Sequence, residues 1–424
     1  MAQTFTLQNT RIEIMNQLNT ETYCVLPYNH LSIDPVGNIR PCCNYNFHSV
    51  NFPGKKGGWE FKNITDCEGG LLDAVPHREL RKDIESGKKH DFCNRCWTVE
   101  DNGGDSYRQN WNERFNVNEQ SKLHTNINIE YLELTLGNKC NIQCRMCNPW
   151  SSSMWADDIV KNPELNFWDT EMASNNFEWY DHPNFDKVFE EIVPTIKHLN
   201  MLGGEPLFVP KYYEILQRII DSGRAPEVTI QFNTNMLAVQ DRVFDLWKHF
   251  KQVGINMSCD GVNEVNEYVR WPGKWSKWER NLQKVINWQK QATPGQFVLQ
   301  IHSTMSSLTW LDLANLYEYT QTIDIWTKLP FLIAVNQPAY MDAVNLPDAI
   351  KQKGYDAACA VLNNSNAQDW EKAKNQSLLD HVMNTPRDPA KWEQFIDHTN
   401  RLDKVRNQTI LDVIPEYKEY WHLT

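Results

Sequence analysis

Three cysteines fall within eight residues, Cys140, Cys144 and Cys147, in the stretch GNKCNIQCRMCNPW. Thiolates so spaced are the usual ligands of iron–sulfur clusters. A structural zinc site draws four protein ligands. Three close thiols can instead hold three irons of a 4Fe–4S cube and leave the fourth iron open to a substrate or cofactor. A second set lies upstream: Cys24, the adjacent Cys42 and Cys43, and Cys93-x2-Cys96. Of the 11 cysteines only Cys67, Cys259 and Cys359 stand alone. The number is odd, and the N-terminal MAQTFTLQNTRIEIMNQ lacks the charged-then-apolar pattern of a secretion signal. Both features argue against a disulfide framework and for metal, in a protein expected in the cytoplasm.

Composition narrows the partners. The 424 residues carry 42 Lys and Arg against 54 Asp and Glu, a formal charge of −12. Nucleic-acid binding through the phosphate backbone needs a basic surface, so a nucleic-acid partner is not expected. No apolar run approaches the roughly 20 residues of a membrane helix; a short one is FLIAV at 331–335. With 41% hydrophobic and 23% charged residues, the composition is that of a globular protein.

The elements that must position these cysteines alternate along the middle of the chain. INIEYLELTLG alternates apolar residues and reads as a strand ending at Gly137. KHLNMLGGEP, EVTIQFNTN, VGINMSCDG, QFVLQIHSTM and KLPFLIAVNQP read as five more. Between them PKYYEILQRIIDSG opens on Pro210 and stops near Gly223, while LAVQDRVFDLWKHFKQVG and WSKWERNLQKVINWQKQ have helical spacing. Strands alternating with helices imply right-handed βαβ units around a parallel sheet, here a partial (β/α)6 barrel of the α/β class. Chemistry in such folds sits at the C-terminal strand ends, where the motifs fall. Three segments are expected: a loop-rich cysteine module over 1–125, with turns at DPVGNIRP and FPGKKGGW, a barrel core over 126–336, and a helical C-terminal extension over 337–424 with no role assigned.

In its C-x3-C-x2-C spacing after the first barrel strand, the chain resembles the radical S-adenosylmethionine (SAM) superfamily. The resemblance implies that the amino and carboxylate groups of SAM chelate the open iron. Reduction then cleaves SAM to methionine and a 5′-deoxyadenosyl radical that abstracts a substrate hydrogen. Where the signature usually has an aromatic residue before the last cysteine, this chain has Met146, whose thioether also packs against a ring. MLGGEP places Gly203, Gly204, Glu205 and Pro206 where the superfamily binds the SAM amino group. NMSCDGVNEVNEYVR supplies Ser258 and Arg270, matched to groups that contact the SAM carboxylate, for which an arginine fork is suited. Asn233 and Asn235 of FNTN match residues on the ribose side, though asparagine is also a common turn residue.

The upstream set, Cys24-x12-Gly37-x4-Cys42 and then Cys93-x2-Cys96, resembles SPASM and twitch modules, which bind auxiliary 4Fe–4S clusters. Those modules usually follow the barrel, whereas here the pattern precedes it. The resemblance implies Cys24, Cys42, Cys93 and Cys96 as ligands, with Cys43 an alternative to Cys42; two cysteine pairs also fit zinc ribbon geometry. Cys259 and Asp260 are weak catalytic candidates: a lone strand cysteine is more often core, and Asp260 suits fixing a turn. His302 reads as a core histidine, and Trp275 and Trp278 as helix packing. The expectation is a radical SAM enzyme served by an electron donor such as flavodoxin or ferredoxin and acting on a peptide or protein side chain. A nucleoside- or sugar-type metabolite is the alternative substrate, and a zinc-stabilised binding protein the non-enzymatic alternative.

Overall fold

A computed structural model describes residues 21–45, 63–67, 75–115, 128–165, 167, 175, 177–335 and 337–421. The turn expected at FPGKKGGW lies outside the described residues. In chain order the main elements are β1 His30–Ile33, β2 Ile39–Arg40, α1 Val75–Glu85, α2 Asn94–Asp101, α3 Tyr107–Arg114, β3 Tyr131–Leu136, α4 Ser153–Lys161, α5 Pro183–Ile192, β4 His198–Gly203, α6 Pro210–Asp221 and β5 Thr229–Thr234. They continue with α7 Arg242–Trp247, β6 Gln252–Ser258, α8 Glu264–Val269, α9 Trp275–Gln291, β7 Phe297–Met305, α10 Leu313–Thr322, β8 Phe331–Ala334, α11 Asp348–Asn364, α12 Asp369–Asn384 and α13 Pro389–Arg406. This is the mixed α/β fold with parallel strand pairing that the sequence pattern implies, and all six expected strands are present as β3 to β8.

The chain packs as two compact units. The first takes Met1–Gly137, Asn176–Met201 and Asp221–Val228. Its β1 and β2 form an antiparallel hairpin, with Ser32 opposite Arg40. The turn between them is built by Asp34, whose carboxylate accepts from the backbone N–H of Val36 and Asn38 and pairs with Arg40 at 2.6 Å. Gly37 sits in that turn at φ +89°, where its missing Cβ avoids the Trp179 ring. β1 then runs parallel to β3, His30 beside Tyr131. Tyr23, Leu26, Tyr28, Tyr45, Phe92 and Trp111 form a core that also buries Cys42 and packs Cys24 and Cys93 at its edge. Where the sequence reads as loops, three short helices hold this core. α3 starts on a Ser106–Gln109 capping box, a local device that its polar sequence does not advertise by periodicity.

The second unit takes Asn138–Asn175, Leu202–Ile220 and Thr229–Thr424. β5, β6, β7 and β8 pair in parallel in that order. β7 alternates buried and half-buried positions along nine residues, as a strand with two unlike faces does. α9 buries Trp275, Trp278, Leu282, Val285 and Ile286, a stripe at helical spacing, and the Trp275 and Trp278 rings stack at 4.9 Å. α7 is shorter than its sequence pattern. Asn235 Oδ1 accepts from Leu237 N–H and Asn281 Nδ2 donates to the Met236 carbonyl, so the segment after β5 is held as a turn until Arg242. The C-terminal helices α11 to α13 belong to this unit.

Candidate active site

All three cysteines of the 140–147 loop line one cavity of about 410 Å³ in the second unit. The loop is anchored by its own backbone and its neighbours. Gln143 N–H donates to the Trp271 carbonyl at 2.7 Å and Arg145 N–H to the Val269 carbonyl at 2.8 Å. Trp155 Nε1 donates to the Cys144 carbonyl at 2.8 Å, and Ser152 Oγ to that of Ile142 at 2.8 Å. Arg145 points away from the cavity. It lies over the Tyr268 ring at 3.5 Å and pairs with Asp403 of α13 at 2.5 Å. Tyr268 Oη and Ile410 N–H donate to the same carboxylate. The C-terminal segment, to which sequence reasoning gave no role, therefore clamps the cysteine loop. Only the arginine between two cysteines hinted at it.

The end of β4 closes on the loop from another side. Glu205 N–H donates to the Lys139 carbonyl at 2.9 Å. A Cβ on Gly204 would stand 2.4 Å from that same oxygen, so this crossing admits only glycine. Gly203 has φ +147°. Glu205 is buried, and its carboxylate accepts from Leu207 N–H, Thr234 Oγ1 and Asn235 N–H at 3.1, 2.8 and 2.6 Å. Burial pushes its pKa up to about 7, against the pull of those three bonds. The side chain thus ties β4 to β5 and lines the cavity with its backbone neighbours. Pro206 begins the following turn, Pro206–Phe208, and is not among the lining residues.

Met146, Gly203, Gly204, Asn233, Asn235, Ser258, Asp260 and Arg270 line the cavity together with the cysteines. Asn235 Nδ2 reaches Asn141 Oδ1 at 2.7 Å and stands 4.0 Å from Cys140 Sγ. Asn233 accepts from Asn256 at 2.7 Å. Arg270 pairs with Asp260 at 2.7 Å and approaches Cys144 Sγ at 3.8 Å. Burial works against its charge, but Asp260 and Cys144 more than offset that and raise its pKa. Asp260 also accepts from Thr304 N–H at 2.7 Å, so it orients the arginine and fixes the strand ends. Cys259 and His302 lie outside the cavity. The Cys259 thiol is fully buried and donates to the Gly261 carbonyl, while His302 stacks on Phe331 at 4.8 Å. Sequence reasoning missed Thr304 and the 333–335 stretch of the wall; the FLIAV run carried only an apolar signal.

The thiols are not equivalent. Cys144 is held below the ordinary thiol range by a hydrogen bond from Cys147 and, against burial, by the Arg270 and Arg406 cations. Cys147, the donor of that bond and buried, is pushed well up. Burial pushes Cys140 up to about 12. Among the described residues no group of three His, Cys, Asp or Glu converges as a single bound ion requires. The case for metal therefore rests on donor chemistry. Three thiols lining one cavity, with Arg270 beside Cys144 and its buried Nε without a hydrogen-bond partner among the described residues, fit an anionic cluster and a carboxylate-bearing ligand.

In the first unit Cys24, Cys42, Cys93 and Cys96 line a second cavity, of about 20 Å³. Burial raises the pKa of all four. Cys43 is exposed and does not line it. Cys67 is buried near Asn63, apart from this set. No helix of the described residues is long and apolar enough to cross a membrane.

Comparison with known proteins agrees with the geometry. The Radical SAM superfamily model matches residues 134–291. The radical SAM cyclopropyl synthase TigE of Paramaledivibacter caminithermalis is 24% identical over 173 residues, 39% of this chain and 33% of that protein. The chain thus matches about a third of that relative's length. Solved structures also align. One is anSMEcpe with bound AdoMet and Kp18Cys peptide, at 16% identity over 57% of this chain and 61% of that one, TM-score 0.36. Another is Streptococcus suis SuiB bound to precursor peptide SuiA, at 12% identity over 84% and 77%, TM-score 0.33. The stretch matched to the Radical SAM superfamily runs from within β3 to the end of α9 and contains the cysteine loop, the β4 glycines and Arg270.

Proposed function

We propose that this chain is a radical SAM enzyme that abstracts hydrogen from a peptide or protein side chain. The observation that carries the reading is the convergence of three loop thiols, the β4 glycines and Arg270 on one cavity. The superfamily's 4Fe–4S cluster and SAM, when bound, supply reductive cleavage of the sulfonium and a 5′-deoxyadenosyl radical. Cys140, Cys144 and Cys147 hold the cluster. Arg270, oriented by Asp260, offers its fork to the SAM carboxylate, with Ser258 beside it. The Gly203–Gly204 backbone suits the ammonium, Asn233 and Asn235 the ribose, and Met146 an adenine face. Ala334 and Val335 of the cavity wall, with Ile333 half-exposed at 50%, leave an apolar rim for a substrate larger than the cofactor.

We assign 1–125 to an auxiliary-cluster module, 126–336 to the radical SAM core and 337–424 to the extension that clamps it. The module's ligands are Cys24, Cys42, Cys93 and Cys96, gathered on one cavity. The substrate preference follows analogy with relatives bearing such modules. A low-potential flavodoxin- or ferredoxin-like donor and a reducing cytoplasm complete the reading. The test is anaerobic purification with counts of iron, sulfide and zinc. About eight irons and as many sulfides per chain support two cubes. Four irons with one zinc overturn the auxiliary cube, and zinc without sulfide overturns the whole reading. With reductant and SAM the holoprotein releases 5′-deoxyadenosine. Release stimulated by a peptide fraction but not by nucleosides or sugars supports the substrate class, and the reverse overturns it.

A further inference from the structure

Arg406, the last residue of α13, is 7% exposed, and among the described residues none of its three guanidinium nitrogens has a hydrogen-bond partner. It lies over the Trp155 ring at 5.1 Å and the Trp271 ring at 4.8 Å. Both rings belong to the clamp of the cysteine loop: Trp155 Nε1 holds the Cys144 carbonyl, and the Trp271 carbonyl accepts from Gln143 N–H. The other charges around it are already engaged. Arg145 is paired with Asp403 and Arg270 with Asp260, while Asp158 acts on Arg406 electrostatically without bonding to it. Burial and then Arg145 pull its pKa down to about 9, which leaves it a cation at neutral pH.

A buried cation without hydrogen bonds is costly unless an anion answers it. Asp158 answers it in part across space, and the adjacent loop, when loaded, supplies a second anion. Three thiolates outweigh the positive core of a cube, so the group is anionic when oxidised, and each added electron deepens that charge. Cys144 is the thiol on which Arg406 acts. Arg406 is not among the residues lining the cavity, so it is not placed to touch SAM or substrate. Resting on the radical SAM reading of the loop, we propose that Arg406 is a positioning charge that raises the reduction potential of the cluster at Cys140, Cys144 and Cys147. It does so by stabilising the state reached when the cluster takes one electron from the external donor, with no proton uptake.

The experiment is an EPR-monitored redox titration of anaerobically purified holoprotein, reduced stepwise with dithionite or titanium(III) citrate through low-potential mediators. The signal followed is the one that changes shape on adding SAM, which separates this cluster from any other. Arg406→Gln and Arg406→Met remove the charge; Arg406→Lys keeps it. Both neutral variants should lower the equilibrium constant for reduction about tenfold, a midpoint fall of about 59 mV for one electron. The lysine variant should stay within about threefold of the parent. An unchanged midpoint in Arg406→Gln overturns the proposal. So does an equal fall in Arg406→Lys, which would assign the effect to packing, or a failure of Arg406→Gln to take up iron, which would make the residue one of assembly. A parent holoprotein with no SAM-responsive signal would instead sink the radical SAM reading itself.

Discussion

The molecule carries two cysteine sites built on opposite plans. The 140–147 loop gives three thiols to a cavity of about 410 Å³, whereas Cys24, Cys42, Cys93 and Cys96 crowd one of about 20 Å³. The smaller has room for little more than a water molecule, so the auxiliary cube proposed there requires its four thiols to move apart. The larger is in the range of small-molecule sites. Electrostatics follow the same division. In the open site one thiol, Cys144, is drawn down by its neighbour and by two arginines; in the closed site burial pushes every thiol up. A site that must share a ligand position with an incoming molecule keeps room and charge in reserve. On the proposed reading the second site takes all its ligands from the chain and needs no such charge.

The sharpest way to break this contrast is to remove one thiol from each site. Cys144→Ala should lose about four irons per chain and all 5′-deoxyadenosine release, read by iron assay and chromatography. Cys96→Ala should also lose about four irons yet keep the SAM-responsive EPR signal. If the signal disappears in both, the two sites are one dependent system and the division fails.

The next effect tests how the open site is held. Asp403→Ala leaves Arg145 buried without its partner and strips Tyr268 and Ile410 of an acceptor. Breaking a buried pair in this way costs about 3–5 kcal/mol. The chemical-denaturation midpoint should fall accordingly, and iron at the three-cysteine site should become labile to chelator. Gly204→Ala is a smaller version of the same test. Its Cβ meets the Lys139 carbonyl oxygen, and overpacking of this kind costs about 1–3 kcal/mol. Gly103, in the other unit, has open space where a Cβ would go but φ +76°, so Gly103→Ala should cost only the backbone term and leave the iron count unchanged.

The contrast also explains what the sequence could show. Cys140, Cys144 and Cys147 announce themselves because their ligand spacing is local. Gly204 does so because its motif follows a strand of readable alternation. Arg270 is placed by a turn from β6 through the short helix α8, also local. The clamp was hidden because Asp403 lies 258 residues from Arg145 and its helix is polar in pattern. β8 was readable as a strand but not as a wall, since an apolar run does not say which face meets a cavity. In the first unit, which reads as loop-rich, α3 is hard to see in the sequence because a capping box, not a hydrophobic stripe, sets its start.

The smallest predicted effect distinguishes the strands behind the open site from the core behind the closed one by acid. His302 on β7, stacked on Phe331 and bonded to Gln300, is held down to about 4, by burial first and Lys374 second. His77 on α1, fully buried with Nε2 against the His30 carbonyl, is held down to about 3 by burial. Each folded pKa lies below the unfolded value of about 6.5. The neutral ring is therefore the one the fold prefers, and its contribution is complete above pH 6.5. As pH falls below that, the unfolded chain binds a proton the folded chain refuses, and stability drops by up to about 1.4 kcal/mol per pH unit for each group. For His302 the loss runs from about pH 6.5 to about 4 and then stops; for His77 it continues to about 3. His302→Phe keeps an aromatic ring against Phe331 and removes the titration. Anaerobic urea unfolding at about pH 7, 6 and 5 should show a shallower pH slope in the variant, by up to that amount. A slope equal to the parent's would mean that the His302 ring charges freely in the folded state, and the strand behind the open cavity would then be wetter than its burial implies.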